Sequence, residues 1–217
     1  MLGRTSRATF YAGSVTSTAK NSKYGSGREA LLRATVRVAA KRGLRGLTLR
    51  AVAEEAGVNN TLIVHYFGSR EKLLSAALAW SVDQSITAVN LSNFSHDSVA
   101  FRDALIAFAG AEQDTSIFQY EMILESSRRA ELRPAVKELY RAFVTTLSTG
   151  LLRSVGPVEP GLGLAMFAAL DGLVLQFLCR SIDAEQFADA IDALIVAVNW
   201  DRSDARGEIE STWGLKS

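Results

Sequence analysis

The chain has 217 residues, 48% of them hydrophobic and 22% charged, and a formal net charge of +1. That length suits one large domain or a small one fused to a larger, and the apolar fraction excludes global disorder. The single cysteine, Cys179, excludes an internal disulfide and points to a reducing cytoplasm. His65 and His96, far apart and without cysteine partners, form no zinc-ligand pattern, so neither metal nor cofactor is expected.

The small net charge conceals a division. Residues 1–80 carry 13 Lys/Arg against 4 Asp/Glu, net +9, and residues 81–217 carry 11 against 19, net −8. A basic third joined to an acidic remainder is the electrostatic outline of a nucleic-acid reader fused to another function. The first segment lacks the apolar stretch of a secretory signal. Its Arg4, Arg7, Lys20 and Lys23 among Ser, Thr and Gly fit an organellar transit peptide or a disordered basic arm; we read 1–26 as an arm, able to enter a minor groove or simply to stay solvated.

Strand signals are nearly absent and helical periodicity is found throughout, so an all-α fold of about nine helices is expected. Leu31, Leu32, Thr35, Val36 and Ala39 mark the inner face of a first helix, which Gly43 ends. Two short helices follow, 49–56 and 60–66, then a longer one from about 69 carrying Leu73, Leu74, Ala77 and Trp80. After a polar break at 90–97, helices are expected at 98–111, 114–130, 133–154, 161–180 and 184–199. The third of these shows the clearest stripe, Val136, Leu139, Tyr140, Phe143, Val144, Leu147 and Leu151, with Pro134 in its first turn. The run 162–179 is interrupted by Asp171 and Gln176 and reads as a buried helix, not a membrane span. The domains expected are the arm (1–26), a DNA-binding head (27–74), a helical effector-binding and dimerisation body (75–200) and a polar tail (201–217).

Residues 48–67 carry the features that two crossed short helices require. Thr48 can cap the first helix, Ala53 is small where the helices cross, and Gly57 supplies a left-handed turn. Val58 and Ile63 face inward, and Asn59 can cap the second helix, whose N-terminal end would point into a major groove. An ordinary helical hairpin shares part of this pattern; the surrounding positive charge favours DNA binding.

Here the sequence resembles the TetR family of bacterial transcriptional regulators. The resemblance runs from about Arg28 to Leu74, through Gly46-Leu47-Thr48, Ala56-Gly57-Val58 and Phe67-Gly68-Ser69-Arg70-Glu71-Lys72-Leu73-Leu74, and Leu170-Asp171-Gly172-Leu173 resembles the family's penultimate helix. The resemblance implies an all-α homodimer with a ligand pocket in its C-terminal domain, usually a repressor. Val64 replaces a tyrosine common in relatives, Tyr66 their histidine, Thr61 their glycine and Arg70 their lysine.

Within the head, Asn59, Asn60 and Thr61 are the candidates for base edges, since Asn can bond adenine bidentately and Thr can meet a base edge or a thymine methyl; for Asn59 a pure capping role is an equal alternative. His65 and Tyr66 are candidate phosphate contacts or packing residues, and Thr48, Arg50 and Arg70 candidate backbone anchors. In the body, Phe118, Tyr120, Met122, Ile123, Tyr140, Phe143, Phe167 and Phe177 are core aromatics and apolar residues or, as the resemblance implies, pocket walls, with Glu121, Glu125 and Asp171 as possible polar anchors. Cys179 reads as a buried apolar residue. Helices 161–180 and 184–199, the latter with Phe187, Ile191, Leu194, Ile195 and Val198, are expected to form a four-helix dimer interface. Two heads about 34–36 Å apart could then read a palindromic operator. The expected function is a sequence-specific, cytoplasmic regulator, a repressor released by an apolar small molecule. The alternative is an all-helical ligand carrier or enzyme, for which no catalytic triad, metal cluster or phosphate loop is seen.

Overall fold

The computed structural model describes residues 16–89, 98–157, 159 and 161–198. Among them are nine α-helices and no strand: α1 Thr16–Gly46, α2 Leu49–Ala56, α3 Thr61–Phe67, α4 Arg70–Val89, α5 Ser98–Ala111, α6 Gln113–Ser126, α7 Arg133–Val155, α8 Leu162–Leu178 and α9 Ala184–Ala197, with a single 3₁₀ turn at Ala130–Leu132 before α7.

Helix α1 departs from expectation at its start. Residues 16–26, read as part of an arm, are helical. No proline interrupts them, and a helix anchored by its later turns extends outward without a new nucleation cost. Residues 1–15 and the expected tail 201–217 lie outside the described residues. At the other end Gly43 adopts φ 66° and ψ 167°, which breaks the helical path and sets the turn 44–46 at a new angle. The expected inner face is buried, and the Thr35 hydroxyl is satisfied by the Leu31 carbonyl at 2.7 Å.

The head packs α2 and α3 against α1 and α4 through Ala51, Val52, Ala53, Ile63, Phe67, Leu73 and Leu74. Helix α4 continues into the body, where it meets α5, α6 and α7. Helix α6 lies along α1, and α8 is held between α7 and α9. The α7 stripe behaves as its spacing requires: Val136, Leu139, Phe143, Leu147 and Leu151 are buried. Gly163 lets α8 approach α7 closely, since a Cβ there would lie 1.9 Å from Ser148 Oγ and 3.0 Å from its Cβ. A capping box at Asp183 and Gln186 starts α9, with bonds of 2.9 and 3.0 Å.

Of the α9 residues expected at a dimer interface, Phe187, Ile191 and Ile195 are buried in this chain's own core and Leu194 and Val198 are partly buried against it. The apolar stripe of α9 thus packs inward, against this chain's own helices. Val196 on α9 and Leu164 and Leu175 on α8, not singled out by the sequence, are exposed. Cys179, expected buried, is exposed where α8 ends. No helix among the described residues is long and apolar enough to cross a membrane.

Candidate DNA interface and effector cavity

The turn between α2 and α3 is built from three local signals. Thr48 Oγ1 accepts the Ala51 N–H at 3.1 Å and starts α2. Gly57, at φ 65° and ψ 31°, ends it: its own N–H reaches the Glu54 carbonyl and the Val58 N–H returns to the Ala53 carbonyl at 3.0 Å, a Schellman closure. Asn59 Oδ1 then accepts from both the backbone N–H and the hydroxyl of Thr61, each at 2.9 Å, so it caps α3. Ile63 and Phe67 anchor α3 inward, and Asn59, Asn60, Thr61, Val64 and His65 are exposed on its outer side. Asn60 makes no capping bond.

Other head residues stand differently from expectation. Tyr66 is half-buried, its ring edge-on to those of His65 and Phe67, with its hydroxyl end next to Gly27 of α1; it packs more than it projects. Arg50 is exposed and pairs with Glu54 at 2.8 Å, one turn along. Arg70, expected as an anchor on the DNA backbone, is engaged within the head. Its Nη2 donates to the Leu44 carbonyl at 2.6 Å and its Nε to the Leu47 carbonyl at 3.3 Å, so the guanidinium clamps the turn between α1 and α2. Arg42 and Arg45, beside that turn, are exposed and make no ion pair among the described residues. Nothing in their spacing had singled them out from the other basic residues of α1.

In the body, five helices close around one cavity of about 80 Å³. Each contributes residues at the spacing of a single helical face: Ser85 and Val89 of α4; Phe101, Leu105 and Phe108 of α5; Ser116, Gln119, Tyr120 and Ile123 of α6; Leu139, Phe143 and Leu147 of α7; Phe167, Leu170, Asp171 and Val174 of α8. Of the expected walls, Tyr120, Ile123, Phe143, Phe167 and Asp171 are there. Phe118 and Met122 are wholly buried on the other side of α6, roughly half a helical turn away. Glu125 pairs with Arg128 at 3.6 Å, and Phe177 stacks on Phe187 with ring centres 5.0 Å apart. Tyr140 stands behind the wall, edge-on to Phe167. Glu121 faces away from the cavity and accepts the Leu44 N–H at 3.2 Å. The α5 wall and Gln119 were not expected, because α5 reads from sequence as an undistinguished apolar helix.

The polar groups of the cavity are few. The Tyr120 hydroxyl lies 2.8 Å from the Asp171 carbonyl and 2.9 Å from its Oδ1. Burial pushes the Asp171 carboxyl above the ordinary carboxylate range, partly opposed by the Tyr120 bond. Burial, and then the neighbouring Asp171 charge, pushes the Tyr120 phenol well above its usual value. Gln119 Nε2 donates to Ser81 Oγ and Ser85 Oγ at 3.2 and 3.1 Å.

A capped helix-turn-helix on a helical body with a small aromatic cavity is the architecture of a DNA-binding regulator. Residues 31–77 match the family described as "Bacterial regulatory proteins, tetR family" and residues 96–198 match "Tetracyclin repressor-like, C-terminal domain". An HTH-type transcriptional regulator BetI of Rhizobium meliloti is 30% identical over 159 residues, 69% of this chain and 76% of the relative. A TetR-family regulator from Rhodococcus sp. superposes with a TM-score of 0.66 at 26% identity, covering 81% of this chain and 97% of that one. The multidrug binding protein EbrR, solved with proflavin, superposes at 0.55 with 28% identity, covering 78% and 99%. The chain belongs to the TetR family of transcriptional regulators, and it is not an enzyme.

Proposed function

We propose that this regulator is a cytoplasmic repressor that binds a palindromic operator as a homodimer and leaves it when a small molecule occupies the body cavity. The observation that carries the reading is the route between the two sites. Helix α6 lines the cavity with one face and holds the turn after Gly43 with Glu121 on the other, so a ligand that shifts α6 acts on the head without touching it. That EbrR has been solved with small molecules bound supports a ligand role for the cavity. Asn60 and Thr61 are the base readers in this account. Asn59 caps, Arg42, Arg45 and Arg50 meet phosphates, and His65 adds a further backbone contact. The exposed apolar side chains Leu164, Leu175 and Val196 make the α8–α9 face the surface for a second copy.

The experiment is selection of bound DNA from a random pool, followed by mass measurement of the complex and release with a small-molecule library. An inverted repeat bound by two copies and released by a compound is expected. A protein that enriches no sequence would overturn the reading, and one whose DNA binding no compound changes would remove the effector from it.

A further inference from the structure

We infer that the effector is a lipophilic protonated amine, seated with its ring among the cavity phenylalanines and its N–H groups on Asp171 and Gln119. The inference rests on the cavity being the effector site and concerns what that site can accept.

The orientation of Gln119 follows from its neighbours. The Ser81 hydroxyl gives its one proton to the Leu78 carbonyl at 2.8 Å, and the Ser85 hydroxyl gives its proton to the Ser81 carbonyl at 2.9 Å. Both hydroxyls can then only accept, so the Gln119 side chain must turn its NH₂ toward them. Its Oε1 is left as a buried acceptor with no hydrogen bond among the described residues. Asp171 offers a second such atom: Oδ1 is met by Tyr120, whereas Oδ2 has no partner among the described residues. The Tyr120 proton is already used within this pair.

Among the described residues the cavity therefore presents open acceptors, one of them on a carboxylate, and the Ser116 hydroxyl as its one uncommitted donor. No Lys, Arg or His lines it among the described residues. An anionic ligand would meet a like charge with nothing to pair it, and a neutral apolar one would leave both acceptors unsatisfied. A protonated amine can donate to both acceptors, and its apolar part packs against Phe101 and the Phe143–Phe167 pair, whose rings stack 5.3 Å apart. The small volume limits the apolar part to about one ring before the walls must move.

The test uses three isosteres on the full chain at neutral pH: 2-phenylethylamine, 2-phenylethanol and phenylacetate, with Kd measured by calorimetry. The amine should bind at least about tenfold tighter than the alcohol, as expected for a desolvated charge-assisted contact, and phenylacetate should bind weakest. In Asp171→Asn the advantage of amine over alcohol should fall to about twofold or less, while the alcohol binds as before. An alcohol that matches the amine, a preference for phenylacetate, no binding by any of the three, or an unchanged amine preference in Asp171→Asn each overturns the proposal. The wild-type ranking decides even if the variant folds poorly. Binding to the selected DNA is measured on the same preparation without ligand. DNA binding without an amine preference sinks the ligand class alone; an amine preference without DNA binding upholds it and sinks the repressor reading.

Discussion

The Leu44 amide donates to the Glu121 carboxylate over 3.2 Å, which joins the turn after the Gly43 kink to the middle of α6. The same residue's carbonyl accepts from Arg70 Nη2 at the start of α4. One peptide segment is thus gripped from both sides by the two helices that enter the body, and its position reports on theirs.

Arg70 acts through this grip. Arg70→Ala removes two bonds from a charged donor to backbone carbonyls and should lower stability by about 2 kcal/mol, a fall in Tm of several degrees for a chain of this size. Affinity for every DNA sequence should fall alike, with the slope of log K against log salt unchanged. A slope shallower by about one unit would instead assign Arg70 to a phosphate.

The phosphate contacts are expected from exposed arginines near the turn. Operator affinity should drop steeply between roughly 50 and 200 mM salt, and Arg45→Ala should reduce the slope by about one unit. Titrations at four or five salt concentrations check both; a flat profile would exclude groove binding of this kind.

Asn59 and Asn60 should separate cleanly. Asn59→Ala loses the α3 cap and should cost about 1 kcal/mol of stability with a general loss of affinity. Asn60→Ala, which breaks no capping bond, should leave the melting curve unchanged and lose about 1–3 kcal/mol of discrimination at one base pair. Binding to every single-base substitution of the selected operator distinguishes them. Equal shifts across all those sites for Asn60→Ala would remove it as a base reader.

On α9 two adjacent residues should give opposite results. Val196→Glu places a charge on an exposed face and should yield a folded monomer, whereas Ile195→Glu buries an unpaired carboxylate in the core and should unfold the body. Light scattering and circular dichroism read the two effects. A Val196→Glu protein that keeps twice the monomer mass would move the interface off this face.

Asp171→Asn should change the pH dependence of stability. Asp171 titrates above the ordinary carboxylate range in the folded chain because burial disfavours its charge, partly opposed by the Tyr120 bond, with Tyr140 nearby and no cation lining the cavity among the described residues. An acid with a raised folded pKa costs stability progressively as pH rises from its unfolded pKa to its folded one, and by a constant amount above that. The variant should therefore match the wild type near pH 3–4 and melt higher at neutral pH. Equal melting temperatures at both ends would mean that the carboxylate is not strained by its site.

Much of this was legible in the sequence because it is local. Thr48, Gly57 and Asn59 act within four residues of themselves, and the α7 stripe is a property of one helix. What the sequence hid depends on rotation between helices. Phe118 and Tyr120 are two residues apart, yet the helical period sends one into the core and the other into the cavity. Ile195 and Val196 divide in the same way between core and solvent. Arg70 read as a DNA-backbone anchor because its partners within the chain, two carbonyls more than twenty residues earlier, leave no mark in composition or spacing.

Only Ile63 and Phe67 of the seven residues in α3 are buried, and its N-terminal cap comes from Asn59 outside the helix. The residues that set the fold of this helix are therefore nearly disjoint from those we propose to face the DNA groove. Substitutions at Asn60 and Val64, which are exposed and make no capping bond, are close to free of folding consequence, so a lineage can try new operator preferences there one residue at a time. The reading surface can diverge between relatives while the scaffold beneath it is inherited intact.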